Sequence, residues 1–175
     1  MVLTLAVCLI AMNNLAPGSF ANNPLATRHK QSRFIAKVFL DSQENAHIVY
    51  NDGKDTRPAK EVGQVSCSSP SITKDRQTAG WLVNYDNHGI TSYPIPLILI
   101  IYRKGRVIRK LGNGMSIGNW YFSEDSNRVA FRTDTVHGGL APYYELHDIK
   151  TNRVVDKWRG PLNKKSPAWA KRFLK

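Results

Sequence analysis

From Phe34 onward the chain alternates short apolar runs with turn-forming clusters. Phe34 to Leu40 and Ala46 to Tyr50 flank Asp41-Ser42-Gln43-Glu44-Asn45, which predicts a hairpin, and Asn51-Asp52-Gly53 ends its second strand. Thr56 to Pro70 holds Pro58, Gly63, three serines and Pro70, and reads as an irregular crossing segment with one short strand. Trp81 to Tyr85 is a strand, followed by the loop Asp86-Asn87-His88-Gly89. Tyr93-Pro94-Ile95-Pro96 is extended by constraint and belongs at a strand entry or a sheet edge, since proline cannot donate to a ladder. Leu97 to Tyr102 is unbroken and β-branched, the pattern of a central strand covered on both faces. Lys104-Gly105 turns the chain into Val107-Ile108, and Arg128 to Arg132 and Tyr143 to Ile149 are strands separated by His137-Gly138-Gly139. Beyond Gly160-Pro161, Ser166-Pro167 predicts a helix start, with Trp169 and Phe173 on one face of a short helix that covers a sheet edge or core end.

One pattern recurs. Thr73-Lys74-Asp75-Arg76-Gln77-Thr78-Ala79-Gly80-Trp81 is echoed fifty residues later by Ser123-Glu124-Asp125-Ser126-Asn127-Arg128-Val129-Ala130-Phe131. Lys104-Gly105-Arg106-Val107-Ile108 is echoed forty-seven residues on by Thr151-Asn152-Arg153-Val154-Val155. Such a period points to sheets of short antiparallel strands, each needing a neighbour to cover its apolar face. Asp75 and Asp125 sit at matching places in the repeated turn, so they read as carboxylates that fix a turn rather than as a catalytic pair.

Residues 70–158 resemble the turn-plus-strand units of TolB-type and WD-repeat-like β-propeller blades, in which Ser-Pro-Asp-Gly precedes an apolar strand. Thr73 to Arg76 and Ser123 to Ser126 stand in that place, with Arg76 and Ser126 where the family has glycine. Asp148-Ile149-Lys150-Thr151-Asn152-Arg153 is similar to the outer hairpin of a blade. The resemblance implies an all-β antiparallel fold of two to three blade-like units. At about fifty residues each, they are too few for a closed ring of roughly four to eight blades. An incomplete propeller or open sandwich with a short C-terminal helix is therefore expected.

Val2 to Met12 is an apolar run of eleven, followed by Pro17-Gly18 and the small residues Ser19-Phe20-Ala21. This is the pattern of a secretory signal cleaved after Ala21, and it places the mature chain in the periplasm or outside the cell. The expected organisation is a signal over 1–21, a basic leader over 22–33, a blade-like β domain over 34–160 and a basic helix or tail over 161–175. Cys67 alone then remains, which precludes an internal disulfide and favours a buried thiol.

No nucleophile elbow, phosphate-binding loop or calcium loop appears, and His29, His47, His88, His137 and His147 lack zinc-type spacing. No catalytic residue, metal ligand or cofactor is expected. The formal charge is +12 and uneven, with five basic residues between Arg103 and Lys110 and seven from Lys157 to Lys175. Such density attracts polyanions. In an exported protein these are an anionic envelope polymer, an anionic membrane surface or an acidic protein, and the compartment argues against nucleic acid. The reading is an exported, non-enzymatic binding or accessory module of the bacterial envelope. Contacts are expected from loops carrying His88, Tyr93, His137 and Tyr143, with the basic patches steering encounter. The alternatives are a small secreted hydrolase using loop histidines and acids, and a homo-oligomer pairing open sheet edges.

Overall fold

The computed structural model describes residues 32–87 and 91–174. The expected signal over 1–21, the leader before residue 32 and His88 lie outside them. The described chain is all-β and antiparallel, in three sheets. Sheet I contains β1 (Ile35–Leu40), β2 (Ala46–Tyr50) and β3 (Asp55–Thr56). Sheet II contains β4 (Gln64–Ile72), β5 (Thr78–Tyr85), β6 (Ile95–Arg103) and β7 (Arg106–Leu111). Sheet III contains β8 (Ser116–Phe122), β9 (Arg128–Asp134), β10 (Tyr143–Asp148) and β11 (Val154–Arg159). In every sheet the strands pair in chain order, and none of the sheets closes on itself.

Sheet II is the middle layer. Residues alternate faces along a strand, and both faces of β5 and β6 are apolar. Ala79, Trp81, Val83, Ile100 and Tyr102 face sheet I, where they meet Ile35, Ala46, Ile48 and Tyr50. Leu82, Leu99 and Ile101 face sheet III, where they meet Ile117, Trp120, Phe122, Val129 and Phe131. This double covering explains why Leu97 to Tyr102 shows no alternation, and β6 is an inner strand as its pattern predicts. Gly80 is the point of closest approach: a Cβ there would stand 2.8 Å from Trp120 Cη2 and 3.1 Å from Phe122 Cζ.

The two echoed segments join the first and second strands of sheets II and III and carry the same hydrogen bonds. Asp75 Oδ1 accepts from Thr73 Oγ1 at 2.6 Å and from the Gln77 amide at 3.0 Å. Asp125 Oδ1 accepts from Ser123 Oγ at 2.5 Å and from the Asn127 amide at 3.1 Å. Arg76 and Ser126 both take positive φ, 56° and 60°, the conformation that glycine adopts without strain. The turns also touch, the Asp75 amide donating to Ser126 Oγ at 3.2 Å. Both aspartates are thus turn-fixing groups.

Two local expectations change. Gln64 to Ile72 forms one nine-residue strand rather than a short one in an irregular crossing. It is an edge strand with a register shift between Ser68 and Ser71 and positive φ at Ser69, and its serines and Pro70 break the apolar pattern of a strand. Ser166 does not cap the terminal helix: Pro167 occupies that position without a side-chain cap, and Ser166 Oγ accepts from the Asn163 amide at 2.8 Å. The helix α1 (Ala168–Lys171) and the 3-10 turn Arg172–Leu174 lie on the outer face of sheet III. There Phe173 packs between Tyr121 and Tyr144, at centroid distances of 5.0 and 5.4 Å. Tyr121 donates its hydroxyl to the Trp169 carbonyl, and Trp169 Nε1 donates to Asp156 at 2.7 Å.

Candidate functional site

The Lys104-Gly105 turn uses positive φ at both residues, 52° and 79°, the geometry that joins two strands with least splay. It projects the β6–β7 hairpin beside the β8–β9 and β10–β11 turns of sheet III. Between them lies a cleft of about 460 Å³, lined by Arg103, Lys104, Arg106, Arg109 and Lys150 together with Ile108, Asn127 and Ile149. Five lining side chains are cationic and none is acidic.

These cations differ from others on the surface. Lys110 pairs with Glu61 at 2.6 Å, Arg132 with Asp134 at 2.8 Å and Arg33 with Asp52 at 3.1 Å. Among the described residues, none of the five cleft cations forms an ion pair with a carboxylate. Asp125 and Asp148 each lie two residues before a lining residue, Asn127 and Lys150, but their carboxylates are spent on local bonds, Asp148 Oδ1 accepting from the Thr151 amide and hydroxyl at 2.6 and 2.8 Å. Those bonds hold both acids below the usual aspartate range, the Ser123 hydroxyl leading for Asp125 and the Thr151 amide for Asp148.

One guanidinium is fixed in place. Arg109 donates from Nη1 to the Ile108 carbonyl at 2.7 Å and from Nη2 to the Lys150 carbonyl at 2.5 Å, bridging sheets II and III. The buried Nε atoms of Arg103 and Arg109 have no acceptor among the described residues. Like charges gathered without counter-charge repel one another, and an anion entering the cleft relieves that repulsion. A second groove of about 270 Å³ between sheets I and II shares Lys104 and adds Arg33 and Arg76.

The loops expected to make contacts lie at the opposite end of these strands. Tyr93 is 58% exposed ahead of β6. His137 is exposed in the β9–β10 loop, with no carboxylate paired to it among the described residues. Tyr143 opens β10 and lines a pocket of about 260 Å³ with Met115, Leu140 and Arg159. Neither Tyr93 nor His137 lines the pocket that Tyr143 opens.

Two histidines that sequence spacing did not connect to acids do have such partners. His47 is buried, with Nδ1 2.8 Å from Asp55 and Nε2 3.3 Å from Asp41, and its ring stacks on Phe39 at 4.8 Å. Asp41 also takes the amides of Asn45 and Gln43, and the Asn45 amide above all holds its carboxyl well below the usual range. Both ring nitrogens of His47 thus face carboxylates, and the group clamps the β1–β2 turn to β3. His147 Nε2 meets Glu145 at 2.6 Å and its ring stacks on Phe131. Strand alternation explains this second pair: Glu145 and His147 are two apart on β10 and share a face. Cys67 is buried, and desolvation pushes its thiol up to about 11.

Among the described residues no cluster of three or more His, Cys, Asp or Glu side chains is placed to hold a metal ion. No described helix is long and apolar enough to cross a membrane. No family model matches the chain, and no curated protein sequence matches it.

Proposed function

We propose that this protein is an exported, non-enzymatic binding or accessory module of the bacterial envelope, and that the cleft between sheets II and III receives an anionic polymer. The apolar run before Pro17-Gly18, with Ser19-Phe20-Ala21 after it, supports export. The likeness of residues 70–158 to propeller blades supports a binding scaffold, since such sheets present clefts between layers. The observation that carries the reading is the cluster of Arg103, Lys104, Arg106, Arg109 and Lys150 around one cleft with no acid among them.

Inorganic polyphosphate is a suitable first probe, with affinity measured against salt. A polyanion held by five cations should give a log–log salt slope of about −3.5, so affinity falls roughly hundredfold between 50 and 200 mM salt. Replacing Arg106 and Lys150 by glutamine removes two contacts and should flatten the slope to about −2. Arg106 and Lys150 are exposed, so the folded state tolerates both changes. A slope unchanged by the double substitution would show that polyanions bind elsewhere.

A further inference from the structure

Sheets II and III each have a strand that sheet I lacks. In sheet II, β4 leads through the Thr73–Gln77 turn into β5, and in sheet III, β8 leads through the Ser123–Asn127 turn into β9. Sheet I begins with β1, whose Ile35 amide donates to the Arg76 carbonyl at 2.8 Å. The start of β1 therefore lies beside the β4–β5 turn, at the same end as the starts of β5 and β9. Its next connection, over residues 41–45, corresponds to the β5–β6 and β9–β10 loops. The turn over 51–54 corresponds to Lys104-Gly105, and β3 leads to β4 as β7 leads to β8. So β1, β2 and β3 match the second, third and fourth strands of the other sheets. Among the described residues nothing matches the first, and the edge of β1 away from β2 has no strand beside it.

The burial pattern agrees. Flanked on both sides, β5 buries seven of its eight residues, whereas β1 buries one of six. Val38 and Leu40 reach the core between sheets I and II but remain only partly buried.

We propose that this edge of β1 docks an extended acidic segment of a partner protein, which adds as the fourth strand of sheet I, antiparallel to β1. A free edge offers a row of backbone donors and acceptors, and strand addition satisfies them. Charge selects the partner and its direction. Lys37 is exposed midway along β1, and Arg76 and Lys104 line the groove at its start, beside Arg33, whose charge is already shared with Asp52 at 3.1 Å. Glu44 lies at its far end, next to Asp41, whose carboxylate is held by the Asn45 and Gln43 amides and by His47. An antiparallel strand thus enters beside the acidic end and delivers its C-terminal residues to the basic groove, so the fitting segment ends in carboxylates. A second copy of this chain fits worse, because an antiparallel β1–β1 pairing sets Lys37 near its own copy in a protein of net charge +12.

The probe is a synthetic peptide about eight residues long, the usual strand length, alternating threonine and valine and ending in two glutamates. It is added to the full chain, with binding followed by fluorescence polarisation and by amide hydrogen exchange across Ala36 to Leu40. Protection of those amides on binding is expected. Binding should be lost when alternate peptide amides are N-methylated, and should weaken about three- to tenfold in Lys37→Glu. Arg106→Gln should leave it unchanged, which separates this edge from the polyanion cleft. The proposal is overturned by three results: binding without protection of β1, an N-methylated peptide that binds equally well, or β1 amides already protected in the free, dilute chain. Protection that grows with protein concentration in the absence of peptide would assign the edge to a second copy and overturn it as well.

Discussion

Gly80→Ala tests whether sheets II and III are packed to the limit at one atom. The added Cβ would meet Trp120 Cη2 at 2.8 Å, the Ile100 carbonyl oxygen at 3.0 Å and Phe122 Cζ at 3.1 Å. Carbon–carbon contacts are comfortable at about 3.5–4.0 Å, so the indole must retreat by roughly 0.7 Å or more. It has little room, because Trp120 and Phe122 are locked edge to face at 5.0 Å inside the second core cluster. The Ile100 carbonyl belongs to the neighbouring strand of the same sheet and cannot yield independently. Overpacking of this kind costs about 1–3 kcal/mol. Replacing a strand glycine by alanine returns about 0.5–1 kcal/mol, which leaves a net loss of about 1–2 kcal/mol. The assay is the urea unfolding midpoint at constant slope. Trp120→Phe shortens the ring that blocks the methyl, so the double variant should show a favourable coupling of about 1 kcal/mol. A Gly80→Ala variant as stable as the parent, or effects that simply add, would refute the contact.

Acid should weaken the fold by a route that names its residues. Asp41, Asp125, Asp148 and Glu145 all have depressed folded-state values, caused chiefly by the Asn45 amide, the Ser123 hydroxyl, the Thr151 amide and His147 respectively. Their contribution is complete above the ordinary values of 3.8 and 4.5 and is lost as pH falls below them; urea midpoints should be flat near neutrality and drop below about pH 4.5, and Asp41→Asn should make that drop shallower. Phe173→Ala removes the ring between Tyr121 and Tyr144; since Phe173 is only half-buried, a loss of about 1–2 kcal/mol in the same assay is expected, and no change would mean the helix does not brace sheet III. Cys67 should react with a thiol reagent far more slowly in the folded chain than in urea, because it is buried and its thiol lies near 11.

The strands that carry apolar signal were legible in the sequence because both their faces are used. Leu97 to Tyr102 declares a central strand because Ile100 and Tyr102 serve one core and Leu99 and Ile101 the other. The echoed turns were legible because Asp75 and Asp125 each need the same Thr or Ser two residues before them. β4 was not, since it is an edge strand with two register shifts whose four serines interrupt the pattern, and only Cys67 and Ile72 reach the core between sheets I and II. Four of the five cleft cations were visible in the basic run Arg103 to Lys110. The rest was not, because Lys150 joins it from another sheet, through a carbonyl bond spanning 41 residues that no local pattern encodes.

The position held by Gly80 in sheet II is held by Ala130 in sheet III. Gly80 faces Trp120 and Phe122 of the next sheet, whereas Ala130 is fully buried between Tyr121 and Leu146 on the face that carries the terminal helix. The side chain at this one site thus reports what lies above it, a methyl where a helix rests and a bare backbone where aromatic rings press in. The helix acts as a terminator of sheet stacking. A further sheet laid on this face of sheet III would have to displace residues 168–174, which now cover it, and would meet the Ala130 methyl where sheet II offers bare backbone.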